Sequence, residues 1–442
     1  MKVETVGNGD GYAVLTADLM MQMVRDLTPL RRVFCSDDYD QAIDYLRQIL
    51  PFNIVTAGAS DSHNGWVVPP RWNLKEAKIY RDGRVIYDGL AHPLAVAALS
   101  NPFEGEVDLP ELKRHLHYDR RFDDAIPYHF RFEYRPWERD WGFCVTKQFH
   151  DNLGPGNYRV VIRTEESPGE LRMLEYTIPG RLPETFAFVA HLDHPGMSND
   201  DLAGCAVGVQ LFKELAAAPR KFTYKLLLLQ EIIGSEFYLA HSRPPSPILE
   251  AIYLEMLGSR TPLNLQRSLS GQTELEYSVT NAAEELQIPL GIGDYRTVVC
   301  NDEAVWESYG IPMSSLSRFP YPEYHSSRDD LDIISESSLA ESVDLLMASI
   351  DRLEQTNWVS KKFRGTVCLS NPRYDLYVEP GQGAFGSELS EERRRLRELM
   401  DLIPTLEKPA ASRALARRTG LSLPAVETYL RAWAEKGLID IR

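Results

Sequence analysis

The sequence predicts an α/β fold in which a mixed, largely parallel sheet is flanked by helices, with a β-rich inserted domain and a C-terminal winged helix. Three observations carry this prediction. From about residue 158, strand-like segments that are apolar almost throughout alternate with helical segments, which is typical of sheets buried on both faces. An aromatic segment with short strand-like pieces precedes them. Two amphipathic helices joined by a glycine turn lie close to the end of the sequence.

The length and the changes in composition along the chain indicate three domains. A chain of 442 residues is too long for one ordinary hydrophobic core. We expect a catalytic α/β domain over 1–60 and 145–380, an inserted domain over 61–144 and a winged helix over 385–442.

Periodicity predicts the elements of the α/β domain. Apolar residues at helical spacing over 14–50 predict helices there. Strands are expected at the segments YRVVIRT, FAFVAHL, KLLLLQ and AIYLEML, and a helix at GCAVGVQLFKELAAA. Because ligands of such folds collect at the carboxyl ends of the strands, we expect the functional residues at those ends.

The inserted domain is predicted from its aromatic composition. Its strand-like pieces EAKIY, RVIYDG and YHFRFEY are broken by turn residues. Its tryptophans suit a packed lid better than a flexible linker, so we expect it to cover the approach to the active site and to restrict substrates to small ones. The tryptophans concerned are Trp66, Trp72, Trp137 and Trp141.

The C-terminal segment has the layout of a helix-turn-helix inside a winged helix. A helix of Ala, Leu and Arg is followed by a turn at Gly420 and by a second helix with Val426, Leu430 and Trp433 on one face. From Ser390 onward, eleven Lys plus Arg stand against eight Asp plus Glu, which is too weak a basic stripe to indicate DNA binding. We therefore expect this domain to serve as a homo-oligomer interface, with nucleic acid not a partner.

The overall composition excludes several classes of protein. A hydrophobic fraction of 43% with 25% charged residues is that of a globular protein, and a formal charge of −16 disfavours non-specific attraction to nucleic acid or anionic lipid. The five cysteines are scattered and never form a CxxC pair, which argues against a disulfide framework and against a thiolate zinc site. We find neither a membrane span nor the layout of a signal peptide, and predict a cytoplasmic protein.

The stretch HLDHPGMSNDDLAGCAVG carries the strongest chemical signal. It brings His191, Asp193, His194, Asp200 and Asp201 together at a predicted strand-to-helix junction. Imidazole and carboxylate groups together suit zinc, and a carboxylate between two ions can bridge them. A polar loop with solvated acids and a helix cap is the alternative interpretation.

Three further residues extend this set along the chain. Glu231 follows the apolar segment KLLLLQ, Glu255 lies in AIYLEML, and His325 lies in a loop before a helix that begins near Ser335. A carboxylate at the end of so apolar a strand is costly unless it is exposed, paired or ligating. The order His, Asp, Glu, Glu, His at strand ends therefore predicts a site for one or two zinc ions.

These residue types predict amide hydrolysis. Bound zinc would lower the pKa of a water molecule and polarise a substrate carbonyl, while an unligated carboxylate would take the proton and return it to the leaving amine. Glu231 is the natural base. Because a single Glu occurs at that strand end, Glu231 could instead be a ligand, with Glu236 as the base.

The order HxD, NDDxxG, Glu after an apolar strand, an acid in the next strand and a late His resembles the zinc aminopeptidases with a phosphorylase/hydrolase-like fold. The resemblance implies that His191, Glu255 and His325 are zinc ligands, that Asp200 bridges two metals and that Asp193 supports the first His. Those aminopeptidases carry two adjacent Glu residues after the strand, whereas here Glu231 is followed by Ile232. One of the two roles is therefore unassigned, and a mononuclear site is an alternative.

A closer resemblance covers nearly the whole chain. The segments that carry it are WVVPPRWN, AIPYHFRFEYRPWERDWGFC, HPGMSNDDLAG, IIGSEFYLAHS, NDEAVWESYGIPM and PEYHSSRDDLD. They are similar to a bacterial peptidase-like family that combines an aminopeptidase core, an inserted β domain and a C-terminal winged helix, encoded beside polysaccharide and secondary-metabolite genes. That family usually has Cys at the position of Asp193 and lacks the acid at Glu255, so this chain is nearer the dinuclear enzymes.

Three functions fit these residues. The first is zinc-dependent hydrolysis of an amide bond in a small peptide or other small substrate by an aminopeptidase-like enzyme. The second is a deacylase or amidase of a biosynthetic intermediate, and the third is a ligand-sensing DNA-binding regulator with a degenerate core. An aminopeptidase needs an acid that holds the substrate ammonium, and Asp302, Glu303 and Tyr324 are our candidates for that wall.

Overall fold

The computed structural model describes residues 9–241, 248–379 and 390–442. Among the described residues, no helix combines the length and the apolar character that a membrane crossing requires. The boundary predicted near residues 380 to 385 lies outside the described residues. The helices are α1 (Gly9–Leu27), α2 (Asp37–Arg47), α3 (Leu109–Arg114), α4 (Arg131–Tyr134), α5 (Lys147–Asp151), α6 (Gly204–Leu215), α7 (Ile233–His241), α8 (Glu274–Leu286), α9 (Glu303–Ser308), α10 (Glu336–Glu354), α11 (Glu391–Leu402), α12 (Ser412–Thr419) and α13 (Leu423–Glu435).

The described strands range from two-residue bridges to eleven-residue strands. They are β1 (Asn53–Gly58), β2 (Ser62–His63), β3 (Trp66–Val67), β4 (Arg71–Arg81), β5 (Arg84–Asp88), β6 (Phe103–Asp108), β7 (Leu116–His117), β8 (Phe143–Cys144), β9 (Asn157–Ser167), β10 (Glu170–Ile178), β11 (Thr185–His191), β12 (Thr223–Leu229), β13 (Ile248–Glu255), β14 (Leu263–Gln266), β15 (Leu290–Gly293), β16 (Met313–Ser317), β17 (Trp358–Lys361), β18 (Ala410–Ala411) and β19 (Ile439–Ile441).

The larger of two compact units consists of Met1–Leu269 and Ala283–Met347. It contains an eight-stranded mixed sheet in the order β1-β10-β12-β11-β13-β16-β14-β15. Four neighbouring pairs are parallel: β11 with β12, β11 with β13, β13 with β16, and β14 with β15. Every residue of β11 is buried, because helices cover both faces of the sheet. The predicted fold class, a mixed and largely parallel sheet flanked by helices, is confirmed.

The parallel strands bring the predicted site residues to one edge of this sheet. His191 is the last residue of β11, Glu255 is the last residue of β13, and Glu231 follows the end of β12 by two residues. Because β11 pairs in parallel with both β12 and β13, their carboxyl ends point the same way. Three residues that are distant in sequence therefore meet at one place.

A second sheet of four strands, in the order β5-β4-β9-β6, packs around its own apolar core. Strands β4, β5 and β6 come from the segment predicted as the insert, whereas β9 lies beyond residue 144. The strand prediction for YHFRFEY is wrong, since Arg131–Tyr134 forms one turn of helix. Tyr128 and Phe132 are buried whereas Phe130 between them is 40% exposed, so burial in this segment does not follow the alternation of a strand.

A second compact unit consists of Ser270–Ala282 and Ala348–Arg442. Within it, β17 pairs with β18 and β19 in a small antiparallel sheet. Helices α12 and α13 are joined through Gly420, which has a φ of 67° that favours glycine, and Trp433 is buried. The predicted helices and turn are present, and the assignment as a winged helix stays a prediction.

Candidate metal centre

The loop between β11 and α6 carries most of the site, and buried polar groups hold its backbone. Arg32 is fully buried and donates hydrogen bonds to the carbonyl oxygens of Leu192, His194 and Met197. Asp329 accepts hydrogen bonds from the backbone N–H groups of residues 198, 199 and 200 at 3.1, 2.6 and 3.2 Å. The loop is therefore fixed by an arginine on its carbonyl groups and by an aspartate on its amide groups.

The two carboxylate oxygens of Asp200 lie against three imidazoles. Oδ1 is 3.0 Å from Nε2 of His191, whereas Oδ2 is 3.2 Å from Nδ1 of His194 and 3.2 Å from Nε2 of His325. Asp200 therefore has His191 on one side and the pair of His194 and His325 on the other. A carboxylate in this position can bridge two metal ions.

Several of the atoms that converge here have no hydrogen-bond partner although they are buried. They are both ring nitrogens of His191, Nδ1 of His194, Oδ2 of Asp200, Oε2 of Glu255 and Nε2 of His325. Buried polar atoms without partners are costly, and a cluster of them at one point is the pattern that a bound cation satisfies. The donor set of imidazole nitrogens and carboxylate oxygens suits zinc. The residues present therefore fit a metal ion.

Glu231 lies beside this cluster and faces the cavity. Its Oε2 is 3.2 Å from Nε2 of His194 and accepts a hydrogen bond of 2.6 Å from the phenol of Tyr134. Burial raises the pKa of this carboxyl group, but the hydrogen bond from His194 and the charges of His194 and His191 outweigh burial and lower the pKa to about 2. With these imidazoles charged, Glu231 is ionised at neutral pH.

Asp193 connects the first histidine to the end of β12. Its Oδ1 is 3.5 Å from Nδ1 of His191 and accepts a hydrogen bond of 2.9 Å from the backbone N–H of Glu231. A carboxylate behind a ligating imidazole fixes the orientation of the ring. Asp193 thus holds the backbone of Glu231, and its carboxylate faces the ring of His191.

The three residues predicted for the substrate wall lie in different environments. Tyr324 lines the cavity and stacks on His325, with ring centroids 3.8 Å apart. Glu303 is fully buried and accepts hydrogen bonds from Gln266, Ser315 and the backbone of Asn301. Asp302 is buried behind the site, where its Oδ2 accepts a hydrogen bond from the backbone N–H of Ile232. Burial raises the pKa of Asp302 to about 7.

Glu236, the alternative base, lies on α7 away from the cavity. Its Oε1 accepts a hydrogen bond of 3.0 Å from the phenol of Tyr309 and is 3.4 Å from Nε2 of His63. Glu255, by contrast, reaches the cluster. Burial, and then the charge of Glu303, raise its pKa well above the ordinary value, and Asn301 donates a hydrogen bond to its Oε1.

A cavity of about 680 Å³ opens beside the cluster. Glu231 and His325 form its floor, and aromatic and basic residues from the segment 128–135 form much of its wall. Its volume is in the range of small-molecule sites. The aromatic segment expected to act as a lid contributes directly to this wall.

The ligand set predicted from the sequence omits His194, although His194 belongs to the motif that predicted the site. Its Nδ1 is as close to Asp200 as the nitrogen of His325. The signal was present, since Ile232 occupies the position where the resemblance requires a second Glu and His194 is the remaining imidazole of the motif. The backbone supports of the loop, Arg32 and Asp329, carried no signal because both lie far from it in sequence.

The chain is similar to known proteins over most of its length. A family model described as a domain of unknown function (DUF4910) matches residues 21–356. A protein of Clostridium acetobutylicum, named for polysaccharide biosynthesis and for an aminopeptidase-like domain, is 27% identical over 345 residues, which cover 77% of this chain and 78% of that protein.

Solved structures have the same fold. A structure from Clostridium acetobutylicum, named as that of a peptidase, has a TM-score of 0.72 at 23% identity and covers 98% of this chain and 99% of its own. The zinc aminopeptidase BSAP of Bacillus subtilis has a TM-score of 0.58 at 14% identity, covering 77% of this chain and 95% of its own. A peptidase M28 precursor from Shewanella amazonensis has a TM-score of 0.52 at 16% identity, with the same coverage. The chain therefore has an aminopeptidase-like hydrolase fold.

Proposed function

The chain belongs to the family described as a domain of unknown function, DUF4910, and we propose that it is a zinc-dependent hydrolase of amide bonds in small substrates. The observation that carries this proposal is the convergence of unpartnered, buried imidazole and carboxylate atoms on Asp200. The aminopeptidase-like fold supports it, because the cluster lies at the carboxyl ends of the parallel strands, where such folds bind their ligands.

We propose that two ions are held on either side of Asp200. At Oδ1 of Asp200 the ligands would be His191 and Glu255, whose ligand atoms lie within 4.8 Å of each other and of an oxygen of Glu231. At Oδ2 the ligands would be His194 and His325. The zinc aminopeptidases have a second Glu where this chain has Ile232. In this arrangement His194 supplies the ligand that the second Glu would supply. When bound, the ions would activate water and polarise the scissile carbonyl group.

Glu231 acts as the general base and acid in this proposal. Water adds across the amide C–N bond, so that the acyl carbon gains a hydroxyl group and the nitrogen gains a proton. Glu231 takes a proton from the water and delivers it to the leaving nitrogen, which requires an ionised carboxylate at the start. Tyr134 holds Oε2 through its 2.6 Å hydrogen bond, which leaves Oε1 for the reacting water.

Metal analysis tests the proposal directly. After zinc reconstitution, we expect about two metal ions per chain and hydrolysis that a chelator abolishes. His194→Ala should reduce the metal content to about one ion per chain, because it removes a nitrogen from one of the two sites. The matched control is His241→Ala, which removes an imidazole that hydrogen-bonds to the backbone of α7 away from the cluster and should leave the metal content unchanged.

Two results would contradict the proposal in different ways. A metal content below about 0.2 per chain after reconstitution would exclude a zinc enzyme. A metal content that His194→Ala does not change would remove His194 from the ligand set and leave His191, Asp200, Glu255 and His325 as the ligands. The winged helix, the homo-oligomer and the cytoplasmic location predicted from the sequence stay predictions.

A further inference from the structure

The charged residues on the cavity wall define which end of a substrate the cavity can hold. Among the described residues that line it, the carboxylates are limited to Glu231, whereas two arginines, Arg131 and Arg135, belong to the same lining. Asp302 and Glu303, the acids expected to hold a substrate ammonium, are 1% and 0% exposed and lie outside this lining. The described lining of the cavity therefore contains two arginines and no carboxylate other than Glu231.

The two arginines are available to a ligand. Their side chains are 59% and 51% exposed, and both donate to the same oxygen of Glu138, at 2.9 and 3.3 Å. Each guanidinium has five N–H donors, so one shared carboxylate oxygen leaves most of them free. An anion can therefore bind the N–H donors that Glu138 leaves free.

Aromatic residues next to these arginines in the sequence contact residues of the metal cluster. The ring of Phe130, directly before Arg131 in sequence, is 5.4 Å from the ring of His325 and 6.1 Å from that of Tyr134. Tyr134 in turn contacts Glu231 and precedes Arg135. A cavity lined by aromatic side chains, a base and two arginines suits a small molecule with an apolar body and an anionic end.

We propose that the substrates are small amides that carry a carboxylate near the scissile bond and no free ammonium group, such as N-acyl amino acids. Arg131 and Arg135 bind the carboxylate, in the bidentate geometry that guanidinium groups offer, and the aromatic wall holds the acyl portion. The proposal rests on the proposed hydrolase function. It favours a deacylase over an aminopeptidase, because an aminopeptidase needs the acid that this cavity lacks.

Four matched amides of one skeleton test the two charges separately. They are phenylalanyl-glycine, phenylalanyl-glycinamide, 3-phenylpropionyl-glycine and 3-phenylpropionyl-glycinamide, which carry both charges, the ammonium alone, the carboxylate alone and neither. We expect 3-phenylpropionyl-glycine to have the highest kcat/KM and blocking its carboxylate as the amide to lower kcat/KM about tenfold. N-benzylsuccinamic acid, with its carboxylate on the acyl side, determines on which side of the scissile bond the arginines act.

Variants of the wall separate carboxylate binding from a structural role. Arg131→Gln combined with Arg135→Gln should raise KM about tenfold for 3-phenylpropionyl-glycine and leave KM for its amide unchanged. Glu138→Gln should lower KM for the carboxylate substrate, because it removes the competing anion. Arg84→Gln, which removes an exposed guanidinium from β5, is the control and should change neither.

Binding measurements distinguish failure of this inference from failure of the proposed function. Calorimetric titration of the chelator-treated protein with 3-phenylpropionyl-glycine and with its amide measures the preference without turnover. Tighter binding of the carboxylate, lost in the double variant, supports the inference even if none of the amides is hydrolysed. Zinc-dependent hydrolysis that is fastest for phenylalanyl-glycinamide, or equal binding of acid and amide, would overturn it.

Discussion

Asp200 and Asp329 are both buried and are neighbours, since Asp329 accepts a hydrogen bond from the backbone N–H of Asp200, yet their surroundings are opposite. Asp329 accepts three backbone N–H groups and the phenol of Tyr321 at 2.6 Å. Asp200 meets imidazole nitrogens instead, and its Oδ2 has no hydrogen-bond partner. A buried carboxylate that faces fixed donors stabilises the fold, whereas one that faces groups with lone pairs is completed by a cation.

The pKa shifts reflect the same contrast. Burial raises the pKa of Asp329, the nearby charge of Asp200 raises it further, and the value reaches about 7 although Tyr321 and the backbone N–H groups oppose the rise. Burial also acts to raise the pKa of Asp200, but the three imidazoles outweigh it and hold the pKa well below the ordinary value. This lowering comes from protonated imidazoles. A metal ion bound by the neutral rings would supply the positive charge in their place.

The largest expected effect comes from Asp200→Asn. The amide keeps the shape of the side chain but removes the charge shared by both proposed metal sites, so both ions should be lost and hydrolysis should fall below detection. Elemental analysis and thermal unfolding measure the two consequences separately. Two ions bound to a well-folded Asp200→Asn protein would show that Asp200 does not bridge two metal ions. The proposed difference in role between Asp200 and Asp329 would then be wrong.

Glu231→Gln should lower kcat by about two to four powers of ten while both metal ions stay bound. Gln preserves the shape and the contact with Tyr134 but cannot accept the proton. Glu236→Gln is the control, and we expect its kcat to stay within about twofold of the unsubstituted protein because Glu236 contacts Tyr309 and His63 away from the cavity. Loss of metal from Glu231→Gln would show that Glu231 is a ligand and would contradict its assignment as the base.

The smallest effect on chemistry, and a clear effect on stability, is expected for Asp329→Ala. This change leaves the backbone N–H groups of residues 198, 199 and 200 without their acceptor, at a cost of more than about 2 kcal/mol of folding free energy. A lowered thermal midpoint with at least one ion retained at saturating zinc is the expected result. Complete loss of metal without a change in the thermal midpoint would place Asp329 among the ligands instead.

The sequence anticipated the site residues unevenly. His191 and Glu255 could be placed because each ends an apolar segment, and parallel pairing alone brings such ends together. Asp302 and Glu303 were expected on the substrate wall, and the structure buries them behind it, where backbone and side-chain donors surround them. An acid before a helix looks the same in sequence whether it faces a cavity or the back of a sheet.

By itself, the sequence determined the α/β class, the strands that end at the site and the residue types that suit zinc. These follow from local periodicity and from side-chain chemistry, both of which are properties of the chain. Only the tertiary structure decided that His194 joins His325 on one side of Asp200, and that Arg131 and Arg135 line the cavity. The physical reason is that side-chain direction at a loop depends on distant buried groups such as Arg32 and Asp329, which hold the backbone through hydrogen bonds that no local pattern records.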